Sequence, residues 1–289
     1  MKNYLKLERT RILHSKRFWL TLFIGLCFAV LQFIECGIGQ NYIMLFDGTN
    51  IKDYETSITQ ISPLPWYEYW MGGEGFGFFT ENFFLLFPLL AVIPLGDSLA
   101  TDTLSGYTMH MFISGKKKHY YTARFISAFI VGGIVIAFPL IINMLLYIAT
   151  CPSICSEPAN GTAPIFANSM WSYLFYKYPM IYELLYLIID FTFGGIFSCL
   201  AVSVGMATRN RFLPYIFPFV LYVFSDTVLQ QFLLTEKYAK LAGFSPQNFL
   251  PPSQHNVPIS FNNILIVAII LLIPTVAIFV WNARKNETL

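Results

Sequence analysis

The sequence predicts an all-α, polytopic membrane protein that crosses the bilayer six times with both ends on one side, and three observations predict it. The 289 residues are 56% hydrophobic and 12% charged, with a mean hydropathy of +0.58, against roughly 45–50% apolar and about 25% charged in an ordinary soluble domain. The apolar residues gather in six runs, each long enough for about 30 Å of hydrocarbon. The basic residues gather in segments that one choice of orientation places together. At about 20 residues per span, one membrane domain over 1–289 uses the length, and no large soluble catalytic domain fits beside it.

The first run, Phe18 to Ile38, follows a segment 1–17 that holds Lys2, Lys6, Arg9, Arg11, Lys16 and Arg17 against one acid, Glu8. A basic flank before an apolar run imitates a secretory signal, but no small-x-small cleavage site is present. Glu35 before Cys36 is a poor lipoprotein-type processing context, so the run reads as a retained anchor. Within 1–17, Tyr4, Leu5, Ile12 and Leu13 fall roughly on one helical side and Lys6, Arg9 and Lys16 elsewhere, the pattern of a helix lying on the inner leaflet. The later runs are Phe76 to Leu95, Phe125 to Thr150, Ile181 to Ala207, Phe212 to Leu234 and Ile264 to Trp281.

Six spans put both ends on one side. Taking that side as cytoplasmic gathers the six basic residues of the N-terminal segment, four of the second loop (Lys116, Lys117, Lys118, Arg124), two of the fourth (Arg209, Arg211) and two of the tail (Arg284, Lys285), together 14 of 18. The positive-inside rule then selects N-in, C-in. The outer loop 39–75 combines Asp47, Asp53, Glu55, Glu68 and Glu74 with Pro63, Pro65, Trp66, Tyr67, Tyr69 and Trp70, which predicts an aromatic turn along the outer leaflet. In the outer loop 235–263, Phe244-Ser245-Pro246 and Leu250-Pro251-Pro252-Ser253 mix apolar residues with helix breakers, as either short re-entrant pieces or a plain loop would.

Several chemistries find no support. No Gly-x-x-x-x-Gly-Lys-Ser/Thr loop exists to cradle phosphates, and Gly115-Lys116-Lys117 reads as a basic loop facing anionic headgroups. His14, His110, His119 and His255 fall in flanks or loops, so no intramembrane metal site, catalytic constellation or enzyme activity is expected, and no nucleic-acid partner. Cys151 and Cys155 lie in an outer loop, as a local disulfide in an oxidising compartment or as two free thiols.

Five acids fall in the spans: Glu35, Glu81, Glu183, Asp190 and Asp226. An acid at mid-membrane costs about 2.5–3.5 kcal/mol, which several Leu, Ile or Phe offset. In the chosen topology all five occupy the outer half, which suggests an acidic vestibule for a cationic or amphipathic substrate; interfacial solvation is the plainer reading of Glu35, Glu81 and Glu183. On the inner face, the segment from Asp97 through Asp102, Gly106, Met109, Met111 and Phe112 to Gly115 mixes acids with apolar residues and suggests a docking surface for another subunit.

These features together resemble the type-2 ABC transporter permeases. The resemblance covers essentially the whole chain and is carried by the basic N-terminal segment running into Ser15-Lys16-Arg17-Phe18-Trp19, by Asp97-Ser98-Leu99-Ala100-Thr101-Asp102-Thr103-Leu104-Ser105-Gly106, by the basic loop to Arg124 and by the proline-rich segment before the last span. It implies an elbow helix within 1–17 and a cytoplasmic coupling helix within 98–115, with Asp97, Asp102, Gly106, Met109 and Phe112 toward the ATPase. It implies a separate ABC ATPase that carries ATP and Mg, a second copy or sister permease, a lipid-embedded place in a bacterial cell membrane, and export of an antimicrobial peptide, drug or lipid-like substrate. The family commonly shows a Glu-rich run before the coupling glycine, whereas here Asp102 alone lies close to Gly106. A different reading is an ion-coupled transporter or channel using Asp190 and Asp226.

Overall fold

The computed structural model describes residues 2–40, 65–72, 77–108, 117–155, 165, 169–231, 239–253 and 259–285. Among the described residues the chain is helical and forms no strand. Helix α1 is Lys2–Leu13, and α2, Lys16–Gln32, continues as a π-helical stretch over Phe33–Gln40. After α3 (Trp66–Tyr69) come α4 (Phe78–Leu85), α5 (Phe87–Val92) and α6 (Ser98–Leu104). The remaining elements are α7 (Lys117–Thr150), α8 (Ser172–Lys177), α9 (Pro179–Thr208), α10 (Leu213–Gln230), α11 (Ala239–Ala242), α12 (Pro246–Phe249) and α13 (Phe261–Lys285).

Five stretches, Lys16–Cys36, Lys117–Thr150, Pro179–Thr208, Leu213–Gln230 and Phe261–Lys285, are long and apolar enough to cross a membrane, which marks a membrane protein. The run expected over 76–95 is instead two short helices that break at Leu86, where ψ is 0°. Pro88 explains the break, because it has no N–H for the Phe84 carbonyl and its ring crowds that oxygen. The Phe84 carbonyl accepts the hydroxyl of the fully buried Tyr222 on α10 at 2.8 Å, so a neighbouring helix satisfies the group that proline cannot.

Helix α9 is the centre of the bundle: 83% of its spanning stretch is buried inside the protein, against 17% for α10 and for α13. Glycine pairs let it meet α7 backbone to backbone. A Cβ built on Gly132 would lie 2.5 Å from the Gly194 carbonyl oxygen, and one on Gly194 2.8 Å from that of Gly132. Gly133 and Gly195 are filled in turn by the rings of Phe191 and Phe129. Small residues at a crossing of two membrane helices allow this approach.

At the end of the bundle away from α1, two segments fold inward as a cap. Trp66, Tyr67, Tyr69, Trp70 and Met71 are all at most 5% exposed, so this part of the 39–75 loop sits within the bundle and not along the outer leaflet. Buried amides draw it in: Gln32 donates to the Tyr69 carbonyl (3.0 Å), Trp70 Nε1 to the Leu140 carbonyl (3.0 Å) and the Met71 amide to Asn143 Oδ1 (2.9 Å). Asn143 also donates to the Ala29 carbonyl and to Gln32 Oε1, both at 2.8 Å. The second segment carries α11 and α12, with Ser245, Phe249 and Leu250 fully buried, so this part of 235–263 is short helices packed on the bundle. The two meet at Gly72 and Pro252, and Tyr182 of α9 donates to the Pro252 carbonyl at 2.8 Å. Cys155 is an exposed free thiol, so the disulfide with Cys151 is not formed.

Asn143 is therefore the keystone of the cap. Asn143→Leu strands the Met71 N–H in an apolar interior and takes one donor from the Ala29 carbonyl and one from Gln32 Oε1, which keeps the Tyr147 hydroxyl; a loss of about 1–3 kcal/mol is expected, the cost of one unsatisfied buried group. Thermal unfolding in detergent measures it; an unchanged midpoint would show that the cap does not depend on these bonds.

Candidate functional site

At the opposite end, α1, α6 and the start of α7 are joined by charges buried between them. Arg11 grips both oxygens of Asp102 at 2.6 and 2.7 Å, and Tyr120 donates to Asp102 Oδ2 at 2.9 Å. Arg124, with no exposed surface, pairs with Glu8 and reaches Asp102 at 3.3 Å. Two acids and two arginines thus cancel, which is the condition for holding charge in a low-dielectric interior. The Asp102 hydrogen bonds raise Arg11 above its ordinary pKa, so it stays charged. Beside this cluster, Arg17 bonds Asp97 at 2.6 Å and the Tyr215 hydroxyl of α10 at 3.1 Å.

This arrangement changes the reading of α1. Tyr4 and Ile12, which sequence assigned to the lipid side, turn onto the protein: Tyr4 meets the Tyr120 ring edge-on at 6.3 Å, and Ile12 is 8% exposed. Leu13, placed on the same side, is exposed. Buried ion pairs need a fixed geometry, and that geometry sets the roll of the helix more strongly than four apolar residues do. The outward face forms a shallow groove of about 750 Å³ lined by Asn3, Lys6, Leu7, Thr10, Arg11, His14 and Tyr107.

The residues proposed to face an ATPase divide. Asp97 and Asp102 point inward and hold arginines of this chain, so they shape the segment and do not offer free carboxylates. Gly106 follows the end of α6 with φ +73°, the left-handed conformation that closes a helix and favours glycine. Tyr107 carries the segment to the groove, where its ring lies 5.7 Å from the Arg11 guanidinium. Met109 and Phe112 lie outside the described residues.

The five span acids also divide, and they do not share one environment. Glu35 and Glu81 are exposed on the bundle exterior. Asp226 is partly buried and belongs to the cap, accepting the Ser245 hydroxyl at 2.6 Å and the Gln230 amide at 3.3 Å. Glu183 and Asp190, on α9, have no exposed surface, and none of their four carboxylate oxygens has a hydrogen-bond partner.

Sequence reasoning missed Glu8, Arg11, Tyr120 and Arg124 as a unit. The available signal was Glu8, the lone acid in the basic segment, together with Arg124, set one residue before a predicted span. Comparison with protein-family models, with curated proteins and with solved structures finds no match to this chain.

Proposed function

We propose that the chain is the membrane-spanning permease subunit of an ATP-driven ABC transporter, exporting an amphipathic substrate with energy from a separate ATPase. The observation that carries the reading is the block formed by α1, α6 and the start of α7. A buried neutral charge cluster makes these elements move together, and the groove at Lys6, Thr10, His14 and Tyr107 gives a partner a surface on that block. A push on the groove would then reach α7, which crosses the central helix at the glycine contact. In this reading ATP and Mg bind the partner, as the lack of a phosphate-binding loop in the sequence requires of a chain driven by ATP.

Six crossings with N-in, C-in orientation fit this role, the broken α4 and α5 being the sixth. The association of Arg17 with Asp97 and Tyr215, and of Tyr121 with Phe279 near the C-terminal end, supports both termini lying on one side. A second copy or a sister permease completes the pathway, in a bacterial cell membrane. A second reading, an ion-coupled transporter or channel, is favoured by one observation: Asp190 is buried without a partner. Asp226, the other acid of that reading, is hydrogen-bonded to the cap.

Co-purification tests the leading reading. An ABC ATPase encoded beside this chain is expected to come through purification with it, and Tyr107→Asp with Thr10→Asp to abolish the association while the unfolding midpoint stays unchanged. Association indifferent to these changes would move the docking surface elsewhere, and no association with any ATPase would contradict the reading.

A further inference from the structure

Glu8, Asp97 and Asp102 are buried acids, and each meets an arginine. Glu183 and Asp190 are buried more completely, and their carboxylate oxygens have no hydrogen-bond partner among the described residues. An isolated ionised carboxylate in an apolar interior is among the most unfavourable arrangements available to a protein, and within membrane helices such acids mark ion and substrate paths. Both lie on the helix with the most enclosed surface.

Their placement limits what they receive. Seven residues apart on one helix, they share a face and are separated by about 10 Å along the axis at 1.5 Å per residue. Two carboxylates at that spacing do not converge on one metal ion, and the described residues hold no group of three metal-binding side chains. Beside them α9 supplies the fully buried rings of Tyr182 and Tyr186, 4.9 Å apart, and α10 the fully buried Tyr222, which packs edge-on against Phe197 of α9 at 5.8 Å. Tyr182, beside Glu183 in the chain, is also the α9 residue that holds the cap through the Pro252 carbonyl. Carboxyl groups among aromatic faces complement a cation with an apolar body, whose charge supplies the partner that an ionised carboxylate lacks there.

We propose that Glu183 and Asp190 receive the positive charge of a lipophilic cation, with Tyr182, Tyr186 and Tyr222 around its apolar body and the cap above it. The site takes its meaning from the transport reading, whose substrate class it specifies. Of the five span acids it uses these two alone; Glu35, Glu81 and Asp226 are outside it.

The test is equilibrium dialysis of the purified chain in neutral detergent with labelled tetraphenylphosphonium, and with tetraphenylborate as an anion of the same size. Saturable binding of the cation and none of the anion is expected. Glu183→Gln and Asp190→Asn should each weaken binding on the order of tenfold, as loss of one charge-assisted contact does, and the double variant on the order of a hundredfold. Their unfolding midpoints should stay level or rise, because an amide replaces a carboxylate that has no partner. Wild-type protein that binds no cation, or equal binding of both ions, overturns the proposal. So do E183Q/D190N protein that binds as tightly as wild type and variants that lose binding only by unfolding. The assay contains no ATPase, so its failure leaves the ATPase association standing, and loss of that association leaves the binding result standing.

Discussion

Arg124→Met is expected to destabilise the protein by about 3–5 kcal/mol, the range for removing one partner of a buried ion pair. The size follows from what is left behind. Glu8, 1% exposed, loses its ion-pair partner, whereas Asp102 keeps Arg11 and Tyr120. A second substitution isolates the cause. Glu8→Gln added to Arg124→Met removes the stranded charge and should recover more than half of the loss, since replacing both members of a buried pair is often close to neutral. Unfolding midpoints of the two singles and the double form the cycle. If the double variant is as unstable as the sum of the singles, the pair does not act as a unit and α1 is held by other contacts. Arg124→Met should also uncouple α1 and α6 from α7, so ATP-driven transport should fall even under conditions where the variant remains folded.

The second large effect belongs to the glycine crossing. Gly194→Val places a Cβ 2.8 Å from the Gly132 carbonyl oxygen and 3.1 Å from Ile136. The first of these is backbone and cannot rotate away. The two most buried helices must separate, and the contacts along both are lost with the separation. A loss of at least about 3 kcal/mol, or failure to accumulate folded protein, is expected; overpacking that finds no relief reaches the upper end of its usual range of about 1–3 kcal/mol. Gly106→Ala is the control. A Cβ there meets nothing within 4 Å, and only the positive φ resists it, so about 1 kcal/mol is expected. Folded yield and unfolding midpoint distinguish the two. Equal tolerance of both changes would mean that α7 and α9 do not touch at these glycines.

The spans were legible because hydropathy acts over about 20 residues and does not depend on neighbours. The pairing of helices depends on residues far apart in sequence. Gly194-Gly195 and Gly132-Gly133 are both small-residue pairs within apolar runs, and nothing local marks one as the counterpart of the other. Trp66, Tyr67, Tyr69 and Trp70 look alike whether they lie at an interface or inside a bundle. The deciding residues were Gln32 and Asn143, 111 positions apart. The sequence divided the five span acids only by position, with Glu183 grouped among those reaching interfacial water, whereas their separation into exposed, cap-bound and partnerless groups comes from what each one faces. The charge cluster was half visible: Glu8 and Asp102 were noticed, but their arginines were counted only toward orientation. The residues of the charge cluster lie at the basic end, where the sequence reports sign of charge but not partner.

Transport into inside-out vesicles tests the central claim most directly. Vesicles that hold this chain with its ATPase should accumulate tetraphenylphosphonium when ATP and Mg are supplied outside, and should stop when the ATPase lacks its phosphate-binding lysine. Dissipating the proton gradient should leave the rate unchanged. Uptake that proceeds without ATP and collapses with the proton gradient would contradict the account and favour ion coupling through Asp190.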